Sequence, residues 1–159
     1  MKHLPKHLRP RWRYLAVAIE STPDAEIDRG TFQRELWYAA GNLLGDPGSA
    51  AADLTVYSFS FADGVGETII RVRRGETDAA RAALACVDEI DGEPVGVVVR
   101  GISGTVRACE ERYLGRRTRK SEQRHVVFAD ADRPAVSRGE AVDVSMPTGF
   151  VSATELDFE

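Results

Sequence analysis

The sequence predicts an α+β domain of the ferredoxin-like (RRM-like) kind, a β-α-β-β-α-β sandwich with one antiparallel four-stranded sheet. Three observations predict it. Four segments alternate and are rich in strand formers, two longer segments repeat apolar residues at helical spacing, and Gly, Asp and Pro punctuate them in that order. Two interleaved split β-α-β units are the short, right-handed way to connect such a series. An extra helix and an acidic C-terminal extension are expected to follow.

Residues 11–20 form the first strand, which Pro23 and Asp24 end. Residues 29–44 place Phe32, Leu36, Trp37, Ala40, Leu43 and Leu44 on one helical face, with Asp28 as N-cap and Gly45 as stop. Residues 53–61 and 67–73 are the second and third strands, joined by a hairpin turn around Asp63-Gly64. Thr77 and Asp78 open the second helix, which aligns Ala80, Ala83, Leu84, Val87 and Ile90 and ends at Asp91-Gly92. Residues 94–100 are the fourth strand. Gly101 to Gly104 turn the chain into a third helix over 105–113. The basic run after Gly115 reads as a linker, and 125–159 as a flexible acidic extension.

The chain of 159 residues suits one domain with a tail, divided here as 1–114 (with 1–10 a basic arm) and 115–159. No apolar run approaches the roughly 18 residues of a membrane span. The charged N-terminus lacks the apolar segment of a secretory signal, so a cytoplasmic location is expected. Cys86 and Cys109 fall in helical patterns and read as reduced core residues. No spacing supports a zinc site, a Ser-His-Asp set or a phosphate-binding P-loop, so neither catalytic nor metal-ligating residues are assigned.

The net charge of -4 conceals its distribution. Residues 1–13 carry +5, 14–110 carry -8, 111–124 carry +4 and 125–159 carry -5. Of the 21 basic residues 18 are Arg, and an acidic chain so poor in Lys points to a salt-rich setting. At 1 M salt the Debye length is roughly 3 Å. Phosphate recognition there must come from close, bidentate Arg contacts.

Alternation assigns Leu15, Val17, Ile19, Leu54, Val56, Ile70, Val72, Val97 and Val99 to the helix side of the sheet. Trp12, Tyr14, Tyr57, Phe59, Phe61, Ile69, Arg71, Arg73, Val98 and Arg100 fall on the other side. That face either meets a partner or is covered by the third helix or the tail. Arg9, Arg11, Arg13, Arg71, Arg73, Arg74 and Arg107 are the candidate RNA-binding residues. Guanidinium groups reach phosphates and neighbouring rings reach bases. The turn at Gly101–Thr105 is a further place where backbone amides can meet a phosphate.

Several segments together resemble the archaeal ribonuclease P protein component 2 family. They are Leu8-Arg9-Pro10, Arg13-Tyr14-Leu15, Ile69-Ile70-Arg71-Val72, Ala82-Ala83-Leu84-Ala85, Gly101-Ile-Ser-Gly-Thr-Val-Arg107 and Glu111-Arg112-Tyr113-Leu114. The likeness covers residues 4–114. It implies a non-catalytic subunit of the ribonucleoprotein that removes 5′ leaders from precursor tRNA. It also implies that the RNA performs hydrolysis with Mg²⁺ while the protein binds no cofactor of its own. The implied partners are the ribonuclease P RNA and the TIM-barrel subunit, protein component 3, in a two-plus-two assembly. A ferredoxin-like module for small molecules or single-stranded RNA is the alternative. An RRM reader, however, carries a Gly-aromatic signature in its third strand, and Thr68 to Arg73 lack it.

Overall fold

A computed structural model describes residues 4–115, 122–138 and 140–158. The first part contains β1 (Trp12–Glu20), α1 (Arg29–Ala52), β2 (Thr55–Ala62), β3 (Val65–Arg73), α2 (Thr77–Ala85), a small hairpin of β4 (Glu89–Ile90) and β5 (Glu93–Pro94), β6 (Gly96–Ser103) and α3 (Val106–Tyr113). The main sheet runs β2-β3-β1-β6, with every neighbouring pair antiparallel. An antiparallel four-stranded sheet with helices is what the sequence predicts.

The main core lies between this sheet and the first two helices. Leu15, Val17, Ile19, Val56, Ile70 and Val72 meet Phe32, Leu36 and Ala40 of α1 and Ala80, Ala83 and Leu84 of α2. Burial of these aliphatic side chains is the main stabilising term. Asp28 caps α1 by accepting a hydrogen bond from Thr31 N at 2.8 Å. Side chains of α1 also seal the open edge of the sheet. Gln33 accepts from Val56 N at 2.7 Å, Trp37 Nε1 donates to Leu54 O at 2.8 Å, and Arg29 Nε donates to Val56 O at 3.1 Å. Edge groups that would otherwise pair with another chain are thereby satisfied.

Several expectations are corrected. Gly45 does interrupt the helix as expected, non-helical at φ 69°, but a second helical stretch with Pro47 in its first turn follows at once and carries α1 across a kink to Ala52. Helix α2 is shorter than its apolar pattern and stops at Ala85, so Val87 and Ile90 join the core from the segment after it. Cys86 is its C-cap and exposed, not a core residue, whereas Cys109 is buried. Gly101 to Ser103 are strand, not turn, so the loop proposed for phosphate reduces to Gly104 and Thr105, and the Thr105 side chain already caps α3 at 3.2 Å from Ala108 N.

Residues 122–158 are not a featureless extension. β7 (Glu122–Phe128), β8 (Ala131–Arg138), β9 (Ala141–Met146) and β10 (Gly149–Ala153) form a second antiparallel sheet in the order β10-β9-β8-β7. Its small core is Val126, Ala135, Val142, Val144 and Ala153, with Phe128, Met146 and Phe158 at the margin. The acids that made this stretch read as solvated tail occupy loops and outer positions between short apolar pairs. Arg138 ties this sheet to the first: it donates to Ser21 O at 2.6 Å and to Asp143 at 2.8 Å. The basic linker residues Arg116, Arg117, Arg119 and Lys120 lie outside the described residues. No helix among the described residues is long and apolar enough to cross a membrane.

Candidate nucleic-acid interface

The arginines converge through strand register. β1 and β3 pair Trp12 with Arg73, Arg13 with Val72 and Tyr14 with Arg71. Beyond the last pair Arg74 N donates to Arg11 O at 2.9 Å. One end of the central strand pair therefore carries Arg11, Arg13, Arg71, Arg73 and Arg74, with Trp12 among them. Arg9 stands just before it, exposed, and donates to Leu4 O at 2.8 Å. An added Cβ at Gly104 would stand 3.1 Å from Arg13 Nη1, so this guanidinium reaches the entry to α3. Arg107 sits on the first turn of α3, 87% exposed, and pairs with Glu111 at 2.7 Å.

The aromatic residues divide. Trp12, Tyr14 and Tyr57 keep the expected face, with Tyr14 and Tyr57 edge-on at 6.0 Å between ring centres. Arg71 and Arg73 both lie over the Trp12 ring, their Cζ atoms 4.0 and 4.2 Å from its centre. Phe59 and Phe61 do not belong to this face. A β-bulge at Tyr57 inserts one residue between Val56, opposite Ile70, and Ser58, opposite Ile69. One extra residue reverses every side chain beyond it. Phe59 and Phe61 thus pack on the helix side, Phe59 at 5.6 Å from the ring of Phe32.

The rest of the outer face is covered in part by α3. Cys109 of α3 sits on Ala16 and Ile69, with Tyr14, Val106, Tyr113 and Leu114 around them. Gly101 allows this: a Cβ there would come within 2.3 Å of the Tyr113 ring. What stays open is the arginine end with Trp12, together with the exposed Tyr57 and Val98.

Sequence reasoning missed Asp53, whose carboxylate lies 3.3 Å from Arg73 Nη2. It is the left-handed C-cap of α1 at φ 49°, and nothing in the local sequence signals a partner on β3. Glu67 was missed as well. It pairs with Arg100 at 2.8 Å and accepts from Gly115 N at 3.1 Å, which removes Arg100 from the free charges of the face. Among the described residues no three His, Cys, Asp or Glu side chains gather to hold a metal ion.

The opposite end of β1 is of another character. A cleft of about 380 Å³ lies between Thr22, Asp24 and Glu93 and the second sheet, where Gln123, His125 and Phe150 line it. Eight residues of strand place it roughly 26 Å from Trp12. Arg124 lines it as well but is paired with Glu155, and Asp24 and Glu93 set carboxylates around it.

The model of the Rpp14/Pop5 family matches residues 13–114. The chain belongs to the Rpp14/Pop5 family. It is 64% identical over 157 residues to the ribonuclease P protein component 2 of Natronomonas pharaonis, covering 99% of this chain and 98% of that one. The protein of the same designation from Methanosarcina acetivorans is 34% identical over 114 residues, 72% of this chain and 82% of that one. A chain in a cryo-EM structure of yeast ribonuclease MRP is similar with a TM-score of 0.47 and 20% identity, over 63% of this chain and 79% of that one. The family match ends at Leu114, before the second sheet begins, and the Natronomonas relative spans both.

Proposed function

We propose that this chain serves as a non-catalytic protein subunit of ribonuclease P and stabilises the RNA that removes 5′ leaders from precursor tRNA. Family membership and the shared designation of its relatives support the subunit role. The observation that carries RNA binding is the gathering of Arg11, Arg13, Arg71, Arg73 and Arg74 at one end of the β1–β3 pair, with Arg71 and Arg73 over the Trp12 ring.

Folded RNA crowds phosphates together. Guanidinium groups placed against them lower that repulsion and favour the compact form. Each good charge-assisted contact contributes on the order of 1.5–3 kcal/mol. In this reading the RNA carries the hydrolysis with Mg²⁺, and the protein lowers the Mg²⁺ concentration required. Its protein partner in this reading is the TIM-barrel component 3, in a two-plus-two assembly. The solvent-facing side chains Trp37, Tyr38 and Leu43 of α1 leave apolar surface for such contacts.

The test is reconstitution with the ribonuclease P RNA and component 3 from one cell, following precursor cleavage against Mg²⁺ with and without this protein. A shift of the curve to lower Mg²⁺ is expected. An unmoved curve with active components would sink the proposal.

A further inference from the structure

We propose that Trp12 is a positioning residue that holds Arg71 and Arg73 as a fixed fork for RNA phosphates. The inference rests on the RNA-binding reading of these two arginines.

The geometry separates this role from base stacking. Two guanidinium groups lie over the one indole, at 4.0 and 4.2 Å from its centre. Both guanidinium groups compete with a nucleobase for the ring surface. A stacked guanidinium uses its face, and its in-plane N–H donors stay available. Arg73 forms an ion pair with Asp53, its Nη2 3.3 Å from the carboxylate. Arg71 has no ion pair among the described residues, and its buried Nε has no hydrogen-bond partner there. That Nε lies too deep for a phosphate to reach, so the donors Arg71 offers are those at the tip of its guanidinium.

The strand register fixes the arrangement. Trp12 is directly opposite Arg73 and diagonal to Arg71, a reach that an indole spans. Tyr14, next on the same face, packs against the α3 cluster and stands edge-on to Tyr57. The fork therefore rises from a packed base. A free arginine loses much of its side-chain freedom when it grips a phosphate. Stacking removes part of that freedom before binding. The gain matters most where salt screens long-range attraction and only contacts at close range remain.

Binding of the full-length protein with component 3 to transcribed ribonuclease P RNA, measured across a range of KCl, tests this. Trp12→Leu keeps both charges, so the slope of log affinity against log salt is expected to stay, while affinity falls about tenfold at every salt concentration. Trp12→Phe retains a ring and is expected to bind within about threefold of the wild type. The double variant Arg71→Gln/Arg73→Gln is expected to lower the slope by roughly 1.4–1.8, as two lost phosphate contacts require. Wild-type affinity in Trp12→Leu would overturn the positioning role alone. An unchanged slope in the double variant would overturn the RNA-binding reading beneath it. Nuclear relaxation of the arginine Nε–H groups in the free wild-type protein gives a readout independent of any variant's folding. Arg71 and Arg73 are expected to be more rigid than Arg11 and Arg74, and equal mobility would sink the proposal.

Discussion

Gly101 shows how one hydrogen atom can decide a surface. Its position in β6 faces Tyr113, and an added Cβ would collide with the ring at 2.3 Å. Gly101→Ala is expected to displace α3 and cost about 1–3 kcal/mol in urea unfolding. Gly41 in α1 meets nothing within 4 Å, so Gly41→Ala is expected to leave stability unchanged or raise it by up to about 1 kcal/mol. Equal effects at the two positions would refute the packing argument. Cys109, beneath the same helix, is a second residue whose chemistry is set by place. Burial pushes its thiol up from 9.0 to about 11, with the Glu110 charge adding to the shift. The neutral thiol is thus favoured by folding. That contribution is whole below about pH 9 and is lost as pH rises through about 11. A thiol reagent at pH 8 is expected to label exposed Cys86 at once and Cys109 only on unfolding. Two thiols of equal rate would show that α3 does not protect its cysteine.

At the level of elements, single insertions and single side chains redirect whole strands. The bulge at Tyr57 sends Phe59 and Phe61 into the core and leaves Tyr57 beside Tyr14. The second sheet depends on Arg138, whose side chain is 13% exposed and touches Ser21, Asp143 and, at 3.7 Å, Glu20. Removing it leaves Asp143 without its cation and frees the contact between sheets. Arg138→Ala is expected to weaken protection of the second sheet by about 2 kcal/mol, the loss of charge-assisted bonds at a mostly buried site. Hydrogen exchange at Val142 and Val144 reads this directly. Amides there that exchange as slowly as in the wild type would show that the sheet holds by its own small core.

For the whole molecule, charge is arranged rather than merely counted. The arginine cluster lies at one end of β1, and the cleft lined by Asp24, Glu93 and the ion-paired Arg124 lies beyond the other. RNA contact is therefore expected to be lopsided. In the reconstituted enzyme Arg73→Ala is expected to raise the Mg²⁺ needed for half-maximal cleavage about twofold or more, because it removes a stacked, partly enclosed cation. Arg107→Ala, with a side chain 87% exposed and already paired to Glu111, is expected to move it much less. Equal shifts would place the interface on α3 as much as on the sheet end. Arg9 of the N-terminal arm and Arg11 after it precede Trp12 in the chain, with Arg11 O bonded to Arg74 N. Their share is the part of the effect that salt removes most readily.

The sequence by itself determined the order of the elements, the aliphatic face of the sheet and the concentration of arginine near Trp12. Period-2 and period-3.6 patterns are local, and a buried face must be apolar wherever it occurs. The Asp28 cap and the Asp63-Gly64 turn were legible for the same reason, since each is settled by residues within a few positions. Only the tertiary structure decided the rest. It turned Phe59 and Phe61 inward, because a bulge depends on the partner strand. It made Gly101 a strand residue, because α3 returns to lie on it. It built a sheet from 122–153, because short, weakly apolar strands become stable only when four of them share a core. It also set Asp53 beside Arg73 and two guanidiniums on one indole. Those pairings join residues 20 to 61 positions apart in the sequence, and only the register of paired strands and the helix packed beside them brings such residues together.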